Sequence, residues 1–205
     1  MTTDKPAEDA VQTQRILAAL GTRNIVLIGM MGAGKTSVGK RLAMALGVPF
    51  IDADHEIETA ANMTIPEIFE TYGEDHFRDG ERKVIARLLH DGPKVIATGG
   101  GAIVNTETRK RIARKSISIW LKAVLQILLE RVRRRSNRPL LRSADPEPVL
   151  RGLIAEREPL YAQADITVTS RNTPHQTIIN EILGNLEECL TSTATQPAGT
   201  REQRA

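Results

Sequence analysis

Residues Asn24 to Ser37 read Asn-Ile-Val-Leu-Ile-Gly-Met-Met-Gly-Ala-Gly-Lys-Thr-Ser and leave this chain few ways to fold. Gly29, four intervening residues and then Gly34-Lys35-Thr36 fit the phosphate-loop pattern. Ile25 to Ile28 is a short apolar β-branched run, the pattern of a buried parallel strand. The glycines let the backbone turn tightly and aim successive N–H groups into a concavity that suits phosphate oxygens. From Lys35 onward, Val38, Leu42 and Leu46 recur at helical spacing. The loop therefore opens a helix whose N-terminus adds partial positive charge. Lys35 is predicted to reach the β- and γ-phosphates of a nucleotide, and the Thr36 hydroxyl to hold Mg²⁺. The alternative is a glycine-rich turn carrying a surface lysine, which the strand before and the helix after disfavour.

Composition narrows the class. At 205 residues the chain is long enough to bury a core as one domain. Aromatics make up only 3%, so that core must be built from Ile, Leu, Val and Ala. A single cysteine, Cys189, excludes an internal disulfide framework and a cysteine-rich zinc site. Residues 1–15 contain no apolar core segment and no run approaches membrane-spanning length, so a cytoplasmic protein without a membrane partner is expected. The pI near 9.2 suggests nucleic acid, but the formal net charge is only +3. The positive charge is also concentrated, with Arg131, Arg133, Arg134, Arg135, Arg138 and Arg142 in one window. Such a cluster fits polyphosphate as well as a nucleic-acid backbone, and most of these side chains are expected to be solvated.

Along the chain, residues 1–22 read as an N-terminal extension, partly helical or disordered, with helical spacing from Ala10 to Leu20. Strands are expected at Asn24–Ile28, Pro49–Asp52, Val95–Thr98, Ser116–Leu121 and Ile166–Val168. Between them lie helical patterns from Lys35 to Gly47, Ala53 to Ala60, Thr64 to Thr71, Glu74 to His90, Asn105 to Ala113, Val124 to Arg135 and Asp145 to Glu156. Pro174 to Leu190 closes the chain, and residues 191–205 read as a disordered tail with nothing to bury. Thr64-Ile65-Pro66-Glu67 is a capping box. Strands alternating with helices argue for an α/β fold, a parallel sheet of about five strands with helices on both faces.

A phosphate loop alone does not separate a GTPase, a motor, a nucleic-acid enzyme and a small-molecule kinase. The second strand delivers two carboxylates, Asp52 and Asp54, whose side chains would leave the same side of an extended backbone. One can face Mg²⁺ through water while the other faces an acceptor; alternatively, both are solvated acids capping the next helix. Phe77 beside Arg78, with Glu81 one turn on, suggests an arginine fixed by packing and oriented by a carboxylate. Gly99-Gly100-Gly101 follows the third strand at its C-terminal end, where open α/β sheets bind ligands. It reads either as a flexible turn or as a place of close backbone approach to a ligand. Arg138-Pro139-Leu140-Leu141 lies in a segment that could form a lid, at about residues 135–145. Arg157-Glu158-Pro159-Leu160-Tyr161 follows the next predicted helix.

Taken together, these motifs resemble shikimate kinase. The resemblance rests on the phosphate loop, Phe50-Ile-Asp-Ala-Asp54, Gly73-Glu-x-x-Phe77-Arg78-x-x-Glu81, the triple glycine, Arg138-Pro-Leu-Leu and Arg157-x-Pro-Leu-Tyr161. They stand in the family's order over roughly Asn24 to Leu190, so residues 23–190 are read as the family-like domain. The resemblance implies a three-layer P-loop kinase fold with a five-stranded parallel sheet. It implies that Asp54, Arg78, Gly100 and Arg157 contact shikimate, the two arginines through its carboxylate and Asp54 through ring hydroxyls. Gly32, Ala33, Gly34, Lys35, Thr36, Ser37 and Arg138 would bind ATP, with Thr36 on Mg²⁺ and Asp52 in the metal's outer shell. Arg131 matches the position that stacks on adenine, and Arg171 to Thr173 the adenine loop. The family commonly has glycine where Asn62 stands here; Asn tolerates the left-handed backbone, so the helix end is expected to survive.

The residues and the resemblance agree on ATP-dependent phosphorylation of an alcohol. Lys35, Mg²⁺ and Arg138 would neutralise charge on the transferring group, and Asp54 would orient the 3-hydroxyl of shikimate and accept its proton. Lid closure would exclude water. A monomer acting on a small molecule, without nucleic acid, is expected. The rivals are another sugar-acid kinase, such as a gluconate kinase, and a nucleotide-binding module without catalysis.

Overall fold

The computed structural model describes residues 5–133, 145–171 and 173–194. Its elements, in chain order, are α1 (Lys5–Leu20), β1 (Asn24–Ile28), α2 (Lys35–Leu46), β2 (Phe50–Asp52), α3 (Ala53–Ala61) and α4 (Ile65–Leu88). There follow β3 (Val95–Ala97), a 3₁₀ turn at Ala102–Val104, α5 (Thr106–Lys115), β4 (Ser116–Lys122), α6 (Leu125–Arg133), α7 (Pro146–Tyr161), β5 (Ile166–Thr169) and α8 (His175–Ala194). The five strands form one sheet in the order β2-β3-β1-β4-β5, every neighbouring pair parallel. Helices flank it, as an all-parallel sheet requires.

The order explains how distant motifs meet. β1 lies at the centre, so its loop stands between whatever leaves β3 and whatever leaves β4. Asp52 at the end of β2 pairs in register with Ala97, and Ala97 with Leu27 of β1. The Asp segment, the triple glycine and the phosphate loop are therefore neighbours on the C-terminal edge of the sheet. All five residues of β1 are buried. Ile25, Leu27, Ile96, Ile117 and Ile119 fill the centre as the scarcity of aromatics demands, each contributing about 1.5–3 kcal/mol by burial.

A smaller apolar cluster, Ile57, Ile68 and Phe77, joins α3 to α4. Phe69 packs on Phe77 with ring centroids 4.7 Å apart and planes inclined by 39°. The α4 helix starts at the predicted capping box, Thr64 and Glu67 each satisfying the other's backbone N–H. It is kinked at Gly73, whose φ of 81° and ψ of 175° are not helical, so the predicted break is present inside one continuous run. Asn62 does take the left-handed conformation, φ 50°, and caps α3.

Several ends differ from the sequence reading. The α1 helix begins at Lys5 rather than Ala10, and its Ile16 and Leu20 join the main core, with Gln12 bonded to Glu187 of α8. The α8 helix runs past Leu190 to Ala194. Most consequentially, α7 does not stop at Glu156 but continues through Pro159 to Tyr161. Pro159 forfeits only its own N–H bond to the preceding turn, and helical bonding resumes beyond it, the Ala162 N–H donating to Glu158 O at 2.9 Å. Arg157 is therefore a helical residue. Residues 134–144, with Arg134, Arg135, Arg138, Arg142 and nearly all of the predicted lid, lie outside the described residues. Asp145 caps α7, accepting from the Glu147 N–H at 3.0 Å. No helix among the described residues is long and apolar enough to cross a membrane.

Candidate active site

The phosphate loop joins β1 to α2, and its glycines take backbone angles that other residues resist. Gly32 has φ 82° and Gly34, the residue before α2, φ 97°. Lys35 opens the helix and folds back: its Nζ donates to the carbonyls of Gly29 at 2.7 Å and Met30 at 3.0 Å. This holds the ammonium over the loop where phosphate oxygens would sit. Arg131 of α6 reaches the same loop, its Nη1 donating to Gly32 O, Ala33 O and Ser170 Oγ at 3.0–3.3 Å. Ser170, just after β5, donates to Ala33 O at 2.9 Å. Sequence reasoning missed Ser170, which no local pattern marks.

Thr36 Oγ1 donates to Asp52 Oδ2 at 2.8 Å. That bond uses the hydroxyl's proton and leaves its lone pairs for a cation, with a carboxylate behind it. A hydroxyl and a carboxylate are the hard oxygen donors that Mg²⁺ takes, so the residues fit the ion. Asp52 Oδ1 also accepts from the Asp54 N–H at 3.2 Å and caps α3. The extended-backbone argument for Asp52 and Asp54 is thereby corrected. Asp54 is in the first turn of α3, because the Asp52 cap turns the chain into the helix before the second acid. Capping and cation support are both compatible with Asp52, since its two oxygens serve different partners.

The triple glycine is where the side chains converge. A Cβ on Gly99 would lie 2.8 Å from Asp54 Oδ1 and 2.8 Å from Glu81 Oε1. One on Gly101 would lie 2.7 Å from Arg78 Cζ, and one on Gly100 3.3 Å from the backbone nitrogen of Met31 in the phosphate loop. Only bare backbone lets two carboxylates, a guanidinium and the phosphate loop crowd one turn. The close approach expected here is made by the protein's own groups.

Arg78 is held from two sides. Its Nη1 donates to Glu81 Oε2 at 2.7 Å, and its Nε and Nη2 to Glu74 Oε1 at 3.1 and 2.9 Å. Its guanidinium carbon stands 5.0 Å from the Phe77 ring centroid. Glu74 was overlooked, although its place one turn before Arg78 was readable. Partial burial works against the charge on Arg78, but Glu81 and Glu74 together outweigh it and raise its pKa. Burial pushes the Glu81 carboxyl up, against the pull of Arg78; Asp54 pushes it further up and Arg157 draws it down. Arg157 is 5% exposed, with its Nε unpartnered. Both arginines act on the Glu81 carboxylate and on the Tyr161 phenol. Asp54, Arg78, Gly100 and Arg157 thus stand around one place beside the phosphate loop.

A family model described as shikimate kinase matches residues 31–187. This chain belongs to the shikimate kinase family. It is 59% identical over 186 residues to the shikimate kinase of Rhodopseudomonas palustris, covering 91% of this chain and 92% of that one. To the shikimate kinase of Bradyrhizobium diazoefficiens it is 60% identical over 171 residues, 83% of each chain. Among solved structures, the shikimate kinase from Acinetobacter baumannii in complex with shikimate superposes with a TM-score of 0.79 at 38% identity, covering 88% of this chain and 99% of that one. Shikimate kinases use ATP and Mg²⁺, which agrees with the loop and the Thr36–Asp52 pair.

Proposed function

We propose that this chain transfers the γ-phosphoryl group of ATP to the 3-hydroxyl of shikimate, giving shikimate 3-phosphate and ADP, a step of chorismate and aromatic amino-acid biosynthesis. Family membership supports the reaction. The observation that carries the site is the crowding of Asp54, Glu81 and Arg78 onto Gly99–Gly101, against the backbone of Met31. This crowding supports an acceptor side next to the donor side.

In this reading the N–H groups of Gly32, Ala33, Gly34, Lys35, Thr36 and Ser37 cradle the nucleotide phosphates, and Lys35 neutralises the transferring group. Thr36, backed by Asp52, would hold Mg²⁺, which would supply further charge neutralisation on the phosphate oxygens. Arg78 and Arg157 grip the substrate carboxylate, for which guanidinium forks suit better than ammonium groups. Gly100 borders the ring. Asp54 orients the acceptor hydroxyl and takes its proton as the new O–P bond forms and the bond to the β-phosphate oxygen breaks. Arg131 and Arg138 complete the nucleotide side, Arg138 through the family pattern of its segment. A monomer acting on small molecules, a cytoplasmic location, and independence of nucleic acid and membranes belong to the same reading.

ADP release in a coupled assay tests the function. We expect turnover with shikimate and none with gluconate or without an acceptor. Acceptor-independent ADP release, or turnover of gluconate instead, would overturn it.

A further inference from the structure

Tyr161 ends α7 with its side chain 1% exposed. Its ring stacks on Trp120, centroids 5.9 Å apart and planes inclined by 24°. Trp120 in turn lies under the phosphate loop, its Cδ1 3.3 Å from where a Cβ on Gly29 would be. Apolar packing therefore fixes the ring, and a phenylalanine would pack as well. The hydroxyl does something packing does not require. It donates to the Gly100 carbonyl in a short hydrogen bond and stands 3.7 Å from the Met30 sulfur. The Arg157 guanidinium, one turn earlier on the same helix, acts on the phenol by its charge. One hydroxyl thus touches the glycine trio and the phosphate loop, within the field of the buried arginine.

We propose that Tyr161 is a positioning residue of the acceptor site, its hydroxyl fixing the Gly100 peptide and the Arg157 guanidinium relative to each other and to the phosphate loop. Donating to the carbonyl pins the peptide plane of Gly100. Its lone pairs offer an acceptor to the nearby Arg157 fork, whose Nε has no partner of its own. A bare phenylalanine ring would leave both groups in the same cavity with their mutual orientation loosened. The proposal rests on the reading that Gly100 and Arg157 hold the acceptor.

The test is steady-state kinetics of the full chain as Tyr161→Phe, as Arg157→Lys and as the double variant, each with shikimate and ATP varied separately. For Tyr161→Phe we expect the shikimate KM to rise about tenfold, more than kcat falls, with the ATP KM within about twofold. On the Arg157→Lys background the same change should cost less than on the wild type, because the two act together. If Arg157→Lys raises the shikimate KM and Tyr161→Phe leaves it unchanged, the positioning role is overturned while the acceptor site stands. If neither moves it, the acceptor reading fails and takes the proposal with it. Equal rises in both KM values would mark a merely structural residue and overturn it too. Should the phenylalanine variant not fold, 3,5-difluorotyrosine placed at 161 keeps the packing and makes the phenol more acidic. Its shikimate KM should then rise at a lower pH than in the wild type; an unshifted profile would refute the role.

Discussion

Glu81 holds Arg78 by one oxygen only: Oε2 accepts from Arg78 Nη1 at 2.7 Å, while Oε1, buried beside Gly99 and Asp54, has no hydrogen-bond partner. A charge kept inside with half its capacity unmet is costly in stability. The arrangement makes sense where function needs the arginine aimed.

Glu81→Gln separates those two effects. The amide keeps the shape and an acceptor for Arg78 but loses the charge. Hydrogen bonds to charged groups are worth about 1.5–3 kcal/mol, so the shikimate KM should rise about tenfold or more. The ATP KM should hold, because the hydrogen bonds of Arg78 run to Glu74 and Glu81 rather than to the phosphate loop. The melting temperature should be equal or higher, since burial already favours the uncharged carboxyl. An unchanged shikimate KM would remove Glu81 from the positioning of Arg78.

Gly99→Ala adds one methyl group where two carboxylate oxygens stand 2.8 Å away. Both belong to the ends of side chains, which can swing aside, so the fold should survive with a small change in melting temperature. The displaced groups are Asp54 and Glu81. Misplacement of reacting groups by as much as 1 Å can cost about 10²-fold, and a loss of at least tenfold in kcat/KM is expected. Wild-type activity in this variant would mean that the two carboxylates tolerate movement and are not held for catalysis.

What the sequence disclosed followed from how local each determinant is. The β1–loop–α2 unit, the Thr64 capping box and the Asn62 helix end depend on residues within one or two turns, and each is where its pattern placed it. The α7 end was misjudged because Pro159 looks like a stop, whereas a proline in the last turn ends little. The side-by-side projection of Asp52 and Asp54 was misjudged because a strand period was extended across a helix cap. The Tyr161–Gly100 bond joins residues 61 apart in the chain, and Ser170 meets Ala33 across 137. No short-range pattern encodes either contact. The second exists because the parallel sheet brings the loops after β1 and β5 to one edge, the first because α7 ends against the loop after β3.

Asp54→Asn tests the proton acceptor. Asn keeps the size and an oxygen but accepts no proton at neutral pH. A positioned general base contributes about 10²–10⁴-fold, and kcat should fall within that range. ATP affinity should persist, because Lys35 stays bonded to the Gly29 and Met30 carbonyls and Thr36 to Asp52. Calorimetry of ATP binding beside single-turnover kinetics separates the two, and an unchanged kcat would dismiss Asp54 as base.

Tyr161 gives the pH dependence its clearest handle. Burial raises its phenol from the ordinary 10.0 to about 12, against the opposing effect of Arg157. Between those two values the folded chain keeps a proton that the unfolded chain releases, so the native state binds more protons there. Unfolding free energy must then decrease as pH rises through that window. The stabilisation is fully present below pH 10 and lost by about pH 12, and a two-unit shift corresponds to about 2–3 kcal/mol. Other groups titrate in the same range, so the comparison that isolates Tyr161 is urea unfolding of the wild type against Tyr161→Phe at pH 9 and pH 11. The wild type should lose more stability over that interval than the variant. Parallel losses in the two proteins would mean that the phenol ionises as freely in the fold as in the unfolded chain, and that its hydroxyl is not locked between Gly100 and Arg157.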